Sequence, residues 1–172
     1  MSFMSFNFHP RIMAGVQALG YTVPTPIQVQ AMPPVLQGRD VVGLAQTGTG
    51  KTAVFVLPIL QRLMQGPGGR VRALVLAPTR ELAEQIYTVM RALGQHTPLR
   101  QVTIYGGVGM QPQVRTLRAG VDMVVACPGR LLDHLSQGTI NLSHLEVLVL
   151  DEADRLFEMG QIDRPQIGRA HV

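Results

Sequence analysis

The sequence has one cysteine and no long apolar run, and both shortages exclude classes of protein. Cys127 is the single cysteine among 172 residues, so no internal disulfide can form, and the five histidines provide no cluster with it at zinc-ligand spacing. This cysteine usage favours a reducing compartment, and we expect a cytoplasmic protein. The longest apolar stretch, residues 53–60, has about eight residues, whereas a membrane-spanning helix needs about 20. We therefore expect neither a membrane span nor secretion.

Charge is also scarce, and most of the positive charge is arginine. Charged residues make up 15% of the chain and hydrophobic residues 46%, which is too little charge for a disordered tail and enough apolar material for a core. A chain of 172 residues has about the length of one domain. The net charge of +4 and the pI of about 10.0 are compatible with a polyanionic ligand. Lys51 is the only lysine among 15 basic residues.

Short apolar runs alternate with segments of helical spacing along most of the chain. The runs are rich in Val, Leu and Ile and predict buried strands at residues 41–45, 71–77, 102–105, 121–126 and 145–150. Helices are predicted at residues 10–19, 26–36, 52–64, 81–93, 112–117 and 129–135, with Pro33 and Pro34 expected to kink or shorten the second. This alternation predicts an open, mainly parallel α/β sheet with helices on both faces. Ligands bind such sheets beyond the carboxyl ends of the strands.

The loop after the first predicted strand has the composition of a phosphate-binding turn. Residues 45–52 have the sequence AQTGTGKT and open a predicted helix. Glycines let backbone N–H groups converge on an anion, the helix N-terminus adds its dipole, Lys51 suits the outer phosphates and the Thr52 hydroxyl suits Mg²⁺. Ala45 stands where the general pattern has glycine. The single lysine at this position favours a P-loop, because a compact ammonium is needed where arginine would be too large and planar.

A second candidate site follows the last predicted strand, where the sequence Asp151-Glu152-Ala153-Asp154 begins. In P-loop enzymes a carboxylate at the tip of a buried strand holds phosphate-bound Mg²⁺, and an adjacent glutamate can orient the attacking water. A solvated acidic turn would have the same composition. The P-loop sequence about 100 residues upstream favours the catalytic interpretation.

These two motifs occur in a fixed order with PTRELA at residues 78–83, Gly106-Gly107 and Pro128-Gly129-Arg130. With this combination the chain resembles the first, N-terminal RecA-like domain of DEAD-box ATP-dependent RNA helicases over about residues 3–160. The resemblance implies a P-loop NTPase fold, ATP and Mg²⁺ as cofactors, and RNA as a partner that is bound through its backbone without sequence preference. It also implies that the full-length protein couples ATP hydrolysis to local unwinding of RNA duplexes.

The resemblance implies a role for each matching residue. Lys51, Asp151 and Glu152 would be catalytic, Thr52 and Asp151 would hold Mg²⁺, and Asp154 would couple to a Ser-Ala-Thr motif further along. The nucleotide would contact Phe3, Tyr21, Thr25, Gln28, Gln46, Thr47, Gly48, Thr49, Gly50, Lys51 and Thr52, with Phe3 stacked on adenine and the Gln28 amide paired with it. RNA would contact Thr79, Arg80, Gly106, Gly107, Gly129 and Arg130. Cys127 replaces the threonine usual before Pro-Gly-Arg, which removes a hydroxyl but leaves the turn possible.

The chain departs from the family pattern after Gly160. We therefore expect an incomplete ATP-binding RecA-like domain at residues 1–160 and a tail foreign to the family at residues 161–172. Residues 166–172 match the translation of a common sequencing-library adapter. We therefore interpret this tail as an artefact. The strand with the Ser-Ala-Thr motif and the second RecA-like domain would then be missing. On that basis we expect the fragment itself to bind nucleotide weakly at most, and to expose strand edges or collapse around the gap.

Two other functions remain open on the residues alone. One is a P-loop ATPase that acts on DNA or translocates without unwinding. The other is a module that clamps RNA without turning over ATP. The sequence assigns no chemistry to His9, His96, His134 and His144, which we interpret as surface or capping residues, and it favours core positions for Phe6 and Phe8.

Overall fold

The computed structural model describes residues 1–158, which fall into two compact units. The first unit comprises Met1–Gly66 and Thr88–Leu99, and the second comprises Pro67–Tyr87 and the chain from Arg100 onward. In chain order the elements are a 3₁₀ helix (Phe3–Phe6), α1 (Pro10–Ala18), α2 (Pro26–Leu36), α3 (Lys51–Leu63), β1 (Ala73–Leu76), α4 (Arg80–Leu93), β2 (Gln101–Ile104), α5 (Met110–Ala119), β3 (Met123–Ala126), α6 (Pro128–Gln137), β4 (Val147–Leu150) and α7 (Ala153–Glu158). None of the helices within residues 1–158 has the length and apolar character needed to cross a membrane. The predicted tail at residues 161–172 lies outside the described residues.

The first unit is built from α1, α2, α3 and the last part of α4. The His9 side chain accepts a hydrogen bond from the Arg11 N–H and caps α1, which agrees with a capping role for this histidine. Gly15 of α1 lies so close to Leu93 of α4 that a Cβ at this position would be 2.1 Å from the Leu93 carbonyl oxygen. Only glycine permits this close approach of helix backbones.

Helix α2 continues to Leu36, so Pro33 and Pro34 do not shorten it, whereas a kink at these residues stays a prediction. Both prolines lie near the end of the helix, where their carbonyl groups still accept hydrogen bonds. The Gln37 N–H donates to the Pro33 carbonyl at 3.1 Å, and the Arg39 N–H donates to the Pro34 carbonyl at 3.0 Å. Proline removes a donor and keeps its acceptor, so the last turn remains bonded.

Residues 41–45 form no strand, so the prediction of a buried first strand is wrong. Val42 is 87% exposed and Leu44 is 96% exposed. A strand satisfies its backbone groups only when a neighbouring strand pairs with it, and no strand within residues 1–158 pairs with this segment. An apolar composition is therefore not sufficient to form the strand.

The second unit contains a four-stranded parallel sheet with the order β2-β3-β1-β4. In register, Ala73 of β1 is level with Met123 of β3 and with Val147 of β4. The central strands β1 and β3 are buried throughout, whereas every residue of the terminal strand β4 is partly exposed. Leu131 of α6 and Leu156 of α7 pack into the apolar core on the sheet. The parallel α/β architecture predicted from the sequence is confirmed.

Buried polar side chains tie the amino ends of these strands together. Asp122, just before β3, accepts hydrogen bonds from the backbone N–H groups of Gly69 at 2.9 Å and Arg100 at 2.8 Å. Arg72, just before β1, forms an ion pair with Glu146, just before β4. Asp122 and Arg72 are buried, so these bonds replace the water that their charges would otherwise bind. No sequence motif predicted these contacts.

Candidate functional site

The turn at residues 46–50 precedes α3 in the first unit and coincides with the predicted phosphate-binding loop. Gly48 has a φ of +84° and Gly50 has a φ of +80°, a left-handed conformation that favours glycine. The Thr49 hydroxyl donates a hydrogen bond of 2.7 Å to the Gln46 carbonyl, which closes the turn. Thr47 is exposed at its tip. The turn therefore presents backbone N–H groups to solvent directly ahead of a helix.

The start of α3 and the side chain of Gln28 complete this site. Lys51 is the first residue of α3 and Thr52 follows it, so the ammonium and the hydroxyl lie at the helix N-terminus. Gln28 of α2 is only 2% exposed, its Oε1 accepts from the Thr25 N–H at 2.9 Å, and its Nε2 donates to the Gly50 carbonyl at 3.1 Å. A Cβ at Gly50 would lie 2.5 Å from that Nε2. The glutamine predicted to read adenine thus also holds the phosphate turn.

Phe3 and Tyr21 stack on each other in the first unit, with ring centroids 6.0 Å apart and an angle of 30° between the rings. Phe3 is 3% exposed and also packs edge-on against Phe6. Phe8 is buried, as the sequence predicts, and Phe6 is partly buried. Stacking of Phe3 on adenine stays a prediction.

Arg80 and Gly107 lie together at the carboxyl ends of the strands in the second unit. The Arg80 guanidinium stacks on the Tyr105 ring, 4.7 Å from its centroid. The Tyr105 hydroxyl donates to Glu84 at 2.6 Å, and this bond, together with burial, raises the pKa of Tyr105. A Cβ at Gly107 would lie 3.7 Å from Nη1 of Arg80. Two of the residues predicted to bind RNA are therefore neighbours.

Thr79, Gly106 and Gly129 follow the strands at the same end of the sheet. Thr79 Oγ1 accepts from the Leu82 N–H at 3.2 Å and so caps the first turn of α4. Gly106 and Gly129 are exposed, and, apart from their chain neighbours and, for Gly129, the backbone of its own helix, no atom of the described residues lies within 4 Å of the place where their Cβ would stand. Their backbone can therefore be approached closely by a ligand.

Arg130 of α6 is held by two other elements of the second unit. Its Nη2 donates to the Val108 carbonyl at 3.0 Å, and its Nη1 donates to Gln113 Oε1 at 3.2 Å. Asp133 lies one turn further along α6, with its carboxylate 3.7 Å from the Arg130 Nε. The Arg130 side chain is 14% exposed. The guanidinium therefore joins α6 to α5 and to the loop that contains Gly106 and Gly107.

His134 is fully buried, so its interpretation as a surface or capping residue is wrong. Its Nε2 lies 2.9 Å from Gln113 Oε1, and its Nδ1 lies 2.7 Å from the Thr139 hydroxyl. Burial lowers the pKa of His134, and the nearby Arg130 charge lowers it further, against the opposing effect of Asp133. His134 lies three residues after the buried Leu131, so both are on the apolar side of α6. This helical spacing was a signal for burial that the sequence contained.

Asp151 and Glu152 follow β4 directly. Asp151 is buried, its N–H donates to the Leu76 carbonyl at 3.0 Å, and its Oδ1 accepts from the Glu152 N–H at 3.0 Å. Glu152 has a φ of +51°, which is unfavourable for a residue with a side chain and costs about 1 kcal/mol. Such strain concentrates at functional positions. Asp154 is exposed in the first turn of α7.

Cys127 occupies the N-cap position of α6, where the resembled family usually has threonine. Its N–H donates to the Ile104 carbonyl at 2.8 Å, and its side chain makes no capping bond. Burial raises the pKa of the Cys127 thiol, and the carboxylate of Glu81 adds to the effect. The turn is therefore intact, and the thiol is uncharged at neutral pH.

Each unit, taken by itself, has a candidate residue that suits Mg²⁺ bound together with a nucleotide. Within residues 1–158 no three His, Cys, Asp or Glu side chains form a group that could hold a metal ion. Mg²⁺ in nucleotide sites usually binds one or two protein groups, the phosphates and water. Thr52 in the first unit provides a hydroxyl, and Asp151 in the second provides a carboxylate at the tip of a strand.

In a comparison with known proteins, the chain is similar to proteins named as ATP-dependent RNA helicases. It is 44% identical to ATP-dependent RNA helicase DDX42 of Mus musculus over 163 residues, which cover 92% of this chain and 18% of that protein. It is 48% identical to DEAD-box ATP-dependent RNA helicase 30 of Arabidopsis thaliana over 164 residues, covering 92% of this chain and 27% of that protein. It is 44% identical to ATP-dependent RNA helicase RhlB of Xanthomonas oryzae over 169 residues, covering 94% and 29% respectively.

The chain therefore spans less than a third of the length of these three relatives. The DEAD/DEAH box helicase family model matches residues 25–168, which include the P-loop sequence, the strand-end loops and the acidic tetrapeptide. With that match over most of its length, the chain belongs to the DEAD/DEAH box helicase family.

Proposed function

We propose that the full-length protein is an ATP-dependent RNA helicase, to which this chain contributes nucleotide-binding residues and one RNA-binding surface. Family membership and the names of the relatives support the proposal. The single observation that carries it is the turn at residues 46–50, where two glycines with positive φ stand directly ahead of a helix that begins with the chain's only lysine. That combination suits a triphosphate.

In the first unit, the backbone N–H groups of residues 46–50 would bind the phosphates, and Lys51 would neutralise the outer ones. The Thr52 hydroxyl would be a ligand of Mg²⁺. Gln28 would pair with adenine while it keeps the Gly50 carbonyl in place. Because a glutamine amide both donates and accepts, it can match the exocyclic amine and the ring nitrogen of adenine, which favours ATP over GTP.

In the second unit, Asp151 would provide a carboxylate to Mg²⁺, and Glu152 would position the hydrolytic water. Bound Mg²⁺ would offset the negative charge of the phosphates during transfer. The energetic cost of the left-handed backbone conformation at Glu152 supports a functional purpose. Asp154, exposed on α7, would couple to the Ser-Ala-Thr motif of the full-length protein.

The proposed RNA-binding surface lies at the carboxyl ends of the strands and consists of Thr79, Arg80, Gly106, Gly107, Gly129 and Arg130. Exposed glycine backbone can approach phosphates, and arginines provide charge-assisted hydrogen bonds. Such contacts carry no base information, so binding should be independent of sequence and should weaken steeply as salt is raised.

RNA-stimulated ATP hydrolysis and unwinding of a short RNA duplex by the full-length protein test this proposal. We expect Lys51→Ala to abolish nucleotide binding and Glu152→Gln to retain nucleotide binding while hydrolysis falls at least about a hundredfold. Glu158→Gln changes an exposed glutamate six residues further along and serves as the matched control, with unchanged hydrolysis.

Three results would contradict the proposal. Full hydrolysis by the Glu152→Gln variant would remove the assigned role of this glutamate. Stimulation by DNA in preference to RNA would favour a DNA-directed ATPase. RNA affinity that ATP does not change would favour an RNA clamp without coupled turnover.

A further inference from the structure

Behind the proposed RNA-binding surface, a buried chain of hydrogen bonds runs from Thr139 to the loop after β2. It passes through His134 of α6, Gln113 of α5 and Arg130 of α6. Arg130 in turn donates to the Val108 carbonyl in that loop. No motif of the family resemblance includes His134, Gln113 or Thr139. Gln113 is 7% exposed and His134 is 0% exposed, so each polar group depends on its neighbour in this chain.

The direction of each hydrogen bond follows from groups that can only donate or only accept. The Tyr105 carbonyl can only accept, so the Gln113 group 3.0 Å from it is the amide nitrogen. The Gln113 oxygen therefore faces Arg130, which can only donate, and His134 at 2.9 Å. It follows that Nε2 of His134 carries a hydrogen and donates it.

We propose that His134 is a positioning residue for RNA binding, because its Nε2–H fixes the Gln113 amide, which in turn holds the Arg130 guanidinium against the loop after β2. The inference rests on the proposed RNA-binding function of that loop. Arg130 donates to Gln113 and to the Val108 carbonyl, and among the described residues these bonds leave further guanidinium donors for a phosphate.

Fixing the guanidinium in advance matters because a free arginine side chain loses rotational freedom when it binds a phosphate. A held guanidinium has already lost that freedom when RNA arrives. The same bonds hold the loop whose exposed glycines Gly106 and Gly107 are proposed to meet the RNA backbone. Losing the His134 donor should therefore weaken RNA binding chiefly through Arg130, which depends on the Gln113 oxygen.

Two substitutions separate the two sides of the imidazole. In His134→Gln the amide nitrogen can take the place of Nε2 and still donate to Gln113, whereas in His134→Asn it takes the place of Nδ1 and reaches only toward Thr139. In the full-length protein with ATP, we expect the Asn variant to bind single-stranded RNA about threefold to tenfold more weakly than wild type. We expect the Gln variant to stay within about twofold of wild type.

The double variant of His134→Asn with Arg130→Ala should bind RNA within about twofold of Arg130→Ala alone, because the histidine acts through the arginine. Equal losses in the Asn and Gln variants would show a purely structural role and overturn the inference. A full additional loss in the double variant would overturn it as well.

The inference can also be tested by spectroscopy on the wild-type protein, so the test does not depend on whether a variant folds. In protein with ¹⁵N-labelled histidine and arginine, we expect the neutral Nε2–H form of His134 and slow rotation of the Arg130 guanidinium, both without RNA. The Nδ1–H form, or a freely rotating guanidinium, would overturn the inference. If wild type binds no RNA at all, the proposed function fails, and these signals still decide whether His134 positions Arg130.

Discussion

The two ends of the parallel sheet in the second unit differ in how their polar groups are used. At the amino ends, Asp122 and Arg72 are buried and their bonds go to neighbouring backbone and to Glu146. At the carboxyl ends, Gly106, Gly107 and Arg80 are exposed, and Arg80 stacks over Tyr105. One end stabilises the fold, and the other is the proposed RNA-binding surface.

This difference separates residues that the fold needs from residues that a ligand needs. A buried charge without partners is costly, so the amino end must satisfy every group internally. An exposed arginine loses little when it is unbound and gains when a phosphate arrives. Substitutions at the amino end should therefore reduce stability and spare binding, whereas those at the carboxyl end should do the reverse.

The largest effect is expected from Asp122→Ala at the amino end. The change leaves the N–H groups of Gly69 and Arg100 without their carboxylate acceptor, which should lower the free energy of unfolding by about 3 kcal/mol. Denaturant unfolding measures this loss. The control is Asp133→Ala, an exposed aspartate of α6, for which we expect a change within about 0.5 kcal/mol. Weakened RNA binding by the folded Asp122→Ala protein would break the comparison.

The next effect is expected from Arg80→Ala at the carboxyl end. RNA affinity of the full-length protein should fall about tenfold, and the dependence of affinity on salt should lose about one unit of slope, because one phosphate contact is lost. Stability should change by less than about 0.5 kcal/mol. Arg118→Ala, which removes an exposed arginine of α5, is the matched control and should leave affinity unchanged. Equal losses of affinity in both variants would point to net charge rather than to a site.

A smaller effect distinguishes two adjacent glycines in the same loop. Gly107 has a φ of +80°, so Gly107→Ala should cost about 1 kcal/mol of stability. Gly106 has open space around the place of a Cβ and no positive φ, so Gly106→Ala should change stability by less than about 0.5 kcal/mol. Thermal unfolding of both variants measures the difference. A similar cost at both positions would contradict the assigned backbone conformation.

The smallest expected effect is a dependence of stability on pH. It comes from His134, whose hydrogen bonds lie behind the carboxyl end of the sheet and, like the buried contacts at the amino end, contribute to stability. The pKa of His134 lies below its ordinary value of 6.5 in the folded protein, so the unfolded chain takes up a proton first as pH falls. Stability should therefore decrease as pH drops below about 6.5 and level off below the folded pKa. The groups that act on His134 are Arg130 and Asp133 of its own helix, while α5 and the segment after α6 contribute the uncharged Gln113 and Thr139.

His134→Gln removes this titration and should flatten the stability profile in that range. His144→Gln, at an exposed histidine, is the control and should leave the profile as in wild type. A wild-type profile that rises as pH falls from 6.5 would contradict the direction of the pKa shift.

The sequence predicted the parallel α/β arrangement because β1, β2, β3 and β4 each have a paired neighbour, so apolar composition and pairing agree. It failed at residues 41–45, where the composition is the same but no strand in residues 1–158 pairs with the segment. Pairing over a long distance in the chain is a property of the whole fold and leaves no local mark in the sequence.

The motifs predicted the residues of the proposed RNA-binding surface, and they missed the residues packed behind it. Gly107 and Arg80 stand in family motifs, whereas Glu84, Gln113 and His134 act through contacts with residues far along the chain. A polar residue on the apolar side of a helix was the one available signal for His134. Its partners follow only from the packing of α5 against β2 and α6.

The most direct test of the account is a hydrogen-exchange footprint of the full-length protein with single-stranded RNA and a non-hydrolysable ATP analogue. We predict slower amide exchange at residues 106–109, 127, 129 and 130 when RNA is present, and unchanged exchange at residues 68–70 and 122 at the opposite end of the sheet. Protection at residues 68–70 and 122 without protection of the carboxyl-end loops would contradict the assignment of the two ends.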